Sequence, residues 1–327
     1  MLNVLLTFDT EVHAIHPDWK RDRLKRDIDR DIEGLVNGRR VGLDYELDVL
    51  ARNHLKAVFM VESLFSATPE VGEEPLRHVI QRIHSASHEI QLHLHCEWIQ
   101  HGHSIGIPYR GKFQRQYSLE EQEHLLRFGC ARLEECGAPR PTAFRAGGFA
   151  ADASTLKALA NSGFTYDSSF NAGFPEKCHL SPPRSFGSAC FSNGTWEVPI
   201  AAFHDYPGHL RPAQVCACSA RELIYALERA EKLGWKQFVI LAHSFEMLSG
   251  RWQGKPAIRK EVVDTFERVC AFLGENCERF PTVGFDQLKT SEDHLAVPPG
   301  EIHGNLIFTA GRMLQRAATR GRSKVGL

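Results

Sequence analysis

Residues 2–11 read LNVLLTFDTE. A run of Leu and Val suited to a buried strand stops abruptly at Thr7, Phe8, Asp9, Thr10 and Glu11, which places two carboxylates within three residues. Side chains alternate along a strand, so Asp9 and Glu11 point to the same side. A core strand that ends in paired acid needs a partner for that charge, since burying an unpaired carboxylate is costly.

The same alternation of apolar run and polar end recurs along the chain. KAVFMV (56–61), HEIQLHLH (88–95), TAFR (142–145), FTYD (164–167), TWEVPI (195–200), QFVILAH (237–243) and PTVGF (281–285) read as further strands. Between them lie helical patterns in LDYELDVLARN and PLRHVIQRIHSAS, from Ser118 to about Cys136, from Asp152 to Ser162, from Ser219 to Gly234 and over 257–273. Ser118 with Glu121, and Ser219 with Glu222, have capping-box spacing. Glycines 137, 163 and 234 suit helix ends because glycine tolerates positive φ. Roughly eight strands alternating with helices predict an α/β fold of parallel β/α units, either a barrel or an open doubly wound sheet. There is no internal repeat and no glycine-rich phosphate loop of standard spacing.

Composition narrows the function. The chain of 327 residues is 43% apolar, enough for a sizeable core, and its formal net charge of −1 gives no global electrostatic reason to expect nucleic acid or an anionic membrane as a partner. No apolar run approaches the roughly 18 residues of a membrane span. The first residues lack the basic and apolar regions of a secretory signal, so a cytoplasmic location is expected. Nine scattered cysteines, never in a CxxC pair, read as reduced structural thiols.

In parallel β/α architectures functional groups gather at the carboxyl ends of strands. The first strand ends in Asp9 and Glu11, the third in His93, His95 and Glu97, and the fourth in Arg145 followed by Gly147 and Gly148. The strand at 237–243 ends in His243, with Glu246 just beyond. Each feature alone has an ordinary reading: a helix cap, an edge-strand histidine pair, a surface ion pair, a tight turn. Their accumulation on successive strand ends points to a site. Carboxylate oxygen with imidazole nitrogen is the donor set of a catalytic divalent metal such as zinc. One acid of the first pair then binds the metal while the other serves as a base toward water. His93 and His95 share a strand face, whereas Glu97 lies four residues after His93, the spacing of neighbours on a helix.

Taken in order, these segments resemble the polysaccharide deacetylases, the NodB-homology group of carbohydrate esterases. TFDTE resembles the family's Thr-Phe-Asp-Asp motif, LDVLARNHLKAVFMVE the helix and strand that follow, and HEIQLHLH its histidine motif. FRAGGF stands where the family has Phe-Arg-x-Pro-Tyr, YDSS matches its Tyr-Asp-Ser-Ser, and ILAHSFE takes the place of the closing Leu-His motif. The resemblance runs from residue 2 to about 290. It implies a distorted (β/α) barrel, a divalent ion with zinc first and cobalt or nickel as alternatives, and hydrolysis of an N-acyl group on a carbohydrate. Asp9 would be the general base, Arg145 its orienting partner and His243 the general acid. Glu11 and His93 would bind the metal, with His95 or Glu97 as the third ligand. Glu246 and Glu197 are candidates to orient His243 or to serve structure. Gly147 and Gly148 replace a proline and a tyrosine, an exchange expected to widen the substrate cleft. An allantoinase-like amidohydrolase and a non-catalytic carbohydrate-binding relative are the rival readings. The expected products are acetate and a sugar amine, from a surface glycan or its intracellular precursor.

Two segments fall outside this frame. The charged stretch 19–33 reads as a solvated helix or a lid over the site. Residues 291–327 read as an extension to a 1–290 catalytic domain, where apolar and basic residues alternate as in a segment that docks on a partner or a membrane surface.

Overall fold

A computed structural model describes residues 1–13, 21–250, 256–288 and 299–325, with side chains described throughout except in 21–25 and 318–325. The strands are β1 (Asn3–Thr10), β2 (Leu35–Val36), β3 (Arg39–Arg40), β4 (Val58–Glu62), β5 (Glu89–Leu94), β6 (Ala143–Ala146), β7 (Tyr166–Asp167), β8 (Cys190–Ser192), β9 (Thr195–Glu197), β10 (Ala202–Tyr206), β11 (His209–Pro212), β12 (Gln237–His243), β13 (Leu248–Ser249) and β14 (Ala257–Ile258). The helices are α1 (Arg21–Asp31), α2 (Leu43–Arg52), α3 (Glu74–Ser85), α4 (Leu119–Glu135), α5 (Ala153–Asn161), α6 (Ala220–Lys232), α7 (Lys260–Glu275) and α8 (Leu306–Val325).

Eight strands form one sheet in the order β12-β1-β4-β5-β6-β7-β9-β8, parallel except for the antiparallel β8–β9 pair. The sheet curls into a half-barrel, the distorted α/β barrel anticipated above. Residues 198–215 bridge its opening: Val198 N donates to Asp167 O at 2.7 Å, Ala201 N to Val239 O at 3.1 Å and Val215 N to Leu241 O at 2.9 Å.

Two apolar cores follow from strand alternation. Val4, Leu6 and Phe8 of β1, Phe59 and Val61 of β4, Leu92 and Leu94 of β5, and Phe238 and Ile240 of β12 pack outward beneath the helices. Leu5, Val58, Met60, Ala143, Val239 and Leu241 fill the inside of the curl. Continuing the inward rows of β4, β6 and β12 by two residues toward the carboxyl end gives Glu62, Arg145 and His243, Leu5 leads through Thr7 to Asp9, and Gln91 leads to His93. The polar ends are therefore the last members of the inward rows, which is why they converge.

Three expectations need correction. PTVGF forms no strand: it touches β1 only through the Val4–Thr282 bridge and the backbone bonds of Pro281 and Val283 to Val4. Pro281 has no N–H to donate to a ladder, and the segment instead plugs the floor of the barrel, Phe285 packing on Tyr166 at 5.5 Å between ring centroids. The eighth strand is β8, and the β10–β11 hairpin was not anticipated. Nor is the charged stretch a purely solvated helix: α1 buries Asp27 and Asp31, and Ile32 follows into the core. Residues 19 and 20 of that stretch, and the proposed 290/291 boundary, lie outside the described residues.

Candidate metal centre and active site

Glu11, His93 and His95 come together: one ligand atom from each lies within 4.8 Å of the others. Glu11 follows β1 directly, His93 sits near the end of β5, and His95 begins the turn after it. His93 Nε2 lies 2.8 Å from Glu11 Oε2, while its Nδ1–H donates to the Arg145 carbonyl at 2.8 Å. That second bond fixes the tautomer and turns the Nε2 lone pair inward. His95 Nε2 presses on the same Glu11 oxygen but outside hydrogen-bond geometry.

Glu97 does not join this cluster. Its Oε2 lies 3.3 Å from His95 Nδ1, behind the ring, where it orients the imidazole instead of replacing it. Burial opposes ionisation of Glu11, but His95, His13 and His93 overcome it and hold the carboxyl well below its usual range. Burial likewise opposes the His95 cation, and Glu11 and Glu97 overcome it, raising that imidazole well above its ordinary value. The pocket is thus built to hold positive charge beside Glu11. One carboxylate oxygen and two inward imidazole nitrogens fit a divalent ion of the zinc type.

Beside it stands a second constellation. Arg145, wholly buried, donates to Asp9 Oδ1 at 2.5 Å, to Thr7 Oγ1 at 3.1 Å and to the Ser168 carbonyl and hydroxyl at 2.9 and 3.0 Å. Every arm of the guanidinium is therefore tied down. On the other side of Asp9, its Oδ2 lies 3.5 Å from His243 Nε2. The His243 ring is held from behind by Glu246, whose Oε1 is 2.8 Å from Nδ1 and also accepts from Gln214. Burial disfavours the His243 cation, yet Glu246, Asp9 and Glu11 prevail and raise its pKa to about 9. Glu197 does not reach His243; it accepts from Phe170 N at 3.0 Å, beside Asp167.

Gly147 does not widen the cleft. A Cβ there would stand 2.5 Å from the Leu94 carbonyl and 3.0 Å from the His95 ring, so glycine lets the backbone close against Leu94 and His95. Gly148 has φ of 61°, the left-handed region glycine favours.

Several contributors were missed in the sequence. Glu62, wholly buried at the end of β4, accepts from Leu64 N at 2.8 Å, Phe65 N at 3.1 Å and His95 N at 3.5 Å. It fixes the turns that carry His95, and its place as the last residue of KAVFMVE was a legible signal. His13 Nε2 lies 3.5 Å from Glu11 Oε1, and Asp31 of α1 accepts from His13 N at 3.2 Å. Thr7 and Ser168 belong to TFDTE and YDSS, but which side chain they serve is visible only in three dimensions.

The fold and site together define a curled parallel α/β barrel with a three-donor cluster and an Asp–Arg–His group at its strand ends. No family model matches the chain, and no curated protein matches it either. Solved structures similar to it include a family 4 carbohydrate esterase from Streptomyces lividans, 12% identical over 91% of this chain and 98% of that one, with a TM-score of 0.44. A peptidoglycan deacetylase from Bacillus subtilis is 11% identical over 99% and 96% of the two chains, with a TM-score of 0.36. A 4-alpha-glucanotransferase from Thermococcus litoralis is 10% identical over 93% of this chain and 42% of that one, with a TM-score of 0.50. This last likeness is one of fold.

Proposed function

We propose that the protein is a metal-dependent hydrolase that removes an N-acetyl or other N-acyl group from a sugar of a surface glycan or its precursor. The observation that carries this reading is the placement of Asp9, with Arg145 on one side and His243 on the other, next to the Glu11–His93–His95 cluster.

A divalent ion held by Glu11, His93 and His95 would polarise the acyl carbonyl and acidify water. Asp9 accepts the proton as water attacks the amide carbon, and Arg145 keeps that carboxylate ionised and aimed. His243, charged through neutral pH, gives its Nε2 proton to the departing nitrogen, which leaves as the sugar amine while the acyl group becomes acetate. Asp9 can then return its proton to His243 across their 3.5 Å separation, restoring both groups.

The test begins with elemental analysis of wild type, Glu11→Ala and His93→Ala, then acetate release from N-acetylated sugars. Near one divalent ion per chain in wild type and loss of it in both variants is expected. Asp9→Asn should retain the ion and lose roughly 10²–10⁴-fold in rate. A wild type that takes up no zinc, cobalt or nickel after loading overturns the hydrolase reading.

A further inference from the structure

Helix α8 is inverted relative to a normal surface helix. Its barrel-facing side is mostly polar: Thr309 donates to Asp205 O at 3.1 Å, Arg312 donates to Glu222 at 2.9 Å and Asp205 at 2.8 Å, and Arg316 donates to Cys216 O at 2.6 Å, with Phe308 packed on Tyr225 beside them. The opposite side is apolar and open, with Leu306, Ile307, Met313 and Leu314 exposed by 60%, 78%, 46% and 72%. With Ala310 and Ala317 they occupy an arc of about 120° at helical spacing, facing away from the Arg312 side. These four are a large share of the big exposed apolar side chains among the described residues, and no other element gathers so many.

Charge decides what covers this stripe. From Ile302 to Leu327 the sequence holds no acid, but it holds Arg312, Arg316, Arg320, Arg322 and Lys324. Arg312 and Arg316 are used inside, while the other three follow along the same helical run. A second copy of the helix would bring the same cations together, whereas an anionic surface would neutralise them. No described helix is long and apolar enough to cross a membrane, and α8 is anchored along its inner side, so it can lie on a surface but not span it.

We propose that α8 seats the protein on an anionic phospholipid surface, its Leu306–Ile307–Met313–Leu314 stripe in the acyl boundary, with the acid-free, basic sequence of residues 302–327 supplying the attraction. The proposal is independent of the catalytic reading. The experiment is co-sedimentation of the full chain with vesicles of phosphatidylcholine, alone or with about one third phosphatidylglycerol. Binding roughly tenfold stronger to the anionic vesicles, weakening with salt, is expected. Ile307→Glu with Leu314→Glu should abolish it with circular dichroism unchanged, and Arg320→Gln with Arg322→Gln should reduce its salt dependence. Absence of binding to either vesicle overturns the proposal. So does a dimer in light scattering that the double Glu variant dissolves, which would assign the stripe to a second copy.

Discussion

At the scale of single residues, strand alternation made much of the site legible. Asp9, Arg145 and His243 could be named as candidates because each stands at the carboxyl end of a strand. What alternation could not give is the choice between neighbours. His95 and Glu97 were both open in the sequence, and the turn after β5 sets Glu97 behind the His95 ring. Gly147 was misread because a sequence shows a missing side chain but not the Leu94 carbonyl and His95 ring that crowd its place. Gly147→Ala should therefore push His95 outward and weaken metal binding by about 10–100-fold with the fold intact, measured by competition with a chelator. A second prediction concerns His243, whose pKa of about 9 depends most on Glu246 among its neighbours. In the proposed reaction the charged imidazole is the acid, so activity should be lost as pH rises through that value. Glu246→Gln removes the leading anion, so the His243 titration followed by NMR, and the alkaline limb of the rate with it, should move down by roughly one unit or more. An unmoved titration would show that Glu246 only packs against the ring.

At the scale of elements, the helices were the best-read part. Ser118–Glu121 and Ser219–Glu222 form the reciprocal caps their spacing implied, and α4 and α6 start where expected. Strands were read well where apolar runs were long and poorly where they were short. PTVGF has strand composition, yet tertiary position makes it a floor, and β8 is too short and too exposed to announce itself. The least legible element was α8: its sequence reads as a docking or surface-seeking segment, but nothing in it announces that Phe308, Thr309, Arg312 and Arg316 would hold it to the barrel. Asp205, wholly buried, meets Arg312, Arg211 and His209 at once. Asp205→Ala leaves the buried Arg312 with Glu222 alone and the partly buried Arg211 and His209 without this carboxylate, and should cost about 1–3 kcal/mol, read from chemical denaturation. If the loss stays within a few tenths, α8 is held by its apolar neighbours such as Phe308 against Tyr225 instead.

At the scale of the whole molecule, a barrel whose inward rows end in acids must keep some of them neutral. Glu46 on α2 and Glu62 on β4 are both wholly buried, and burial pushes each to a pKa of about 8. For Glu46, Glu246 adds to the rise while the Ser244 hydroxyl and His243 oppose it. In the unfolded chain such a group titrates near 4.5, so between 4.5 and about 8 the folded state holds a proton that the unfolded state has released. Stability from this source is fully present below the lower value and is lost as pH rises through the higher one. His243 adds a slope of the same sign between 6.5 and about 9, which would obscure the effect in wild type alone. The difference between Glu46→Gln and wild type isolates it, since both chains share every other group. That difference should be flat below pH 4.5 and then grow in favour of the variant by at most ~1.4 kcal/mol per pH unit, levelling above about 8. A difference constant from pH 5 to 8 would mean that Glu46 is already ionised in the folded protein. The negative charge beside His243 would then be larger than the three carboxylates assigned to it here, and its high pKa would have a fourth source.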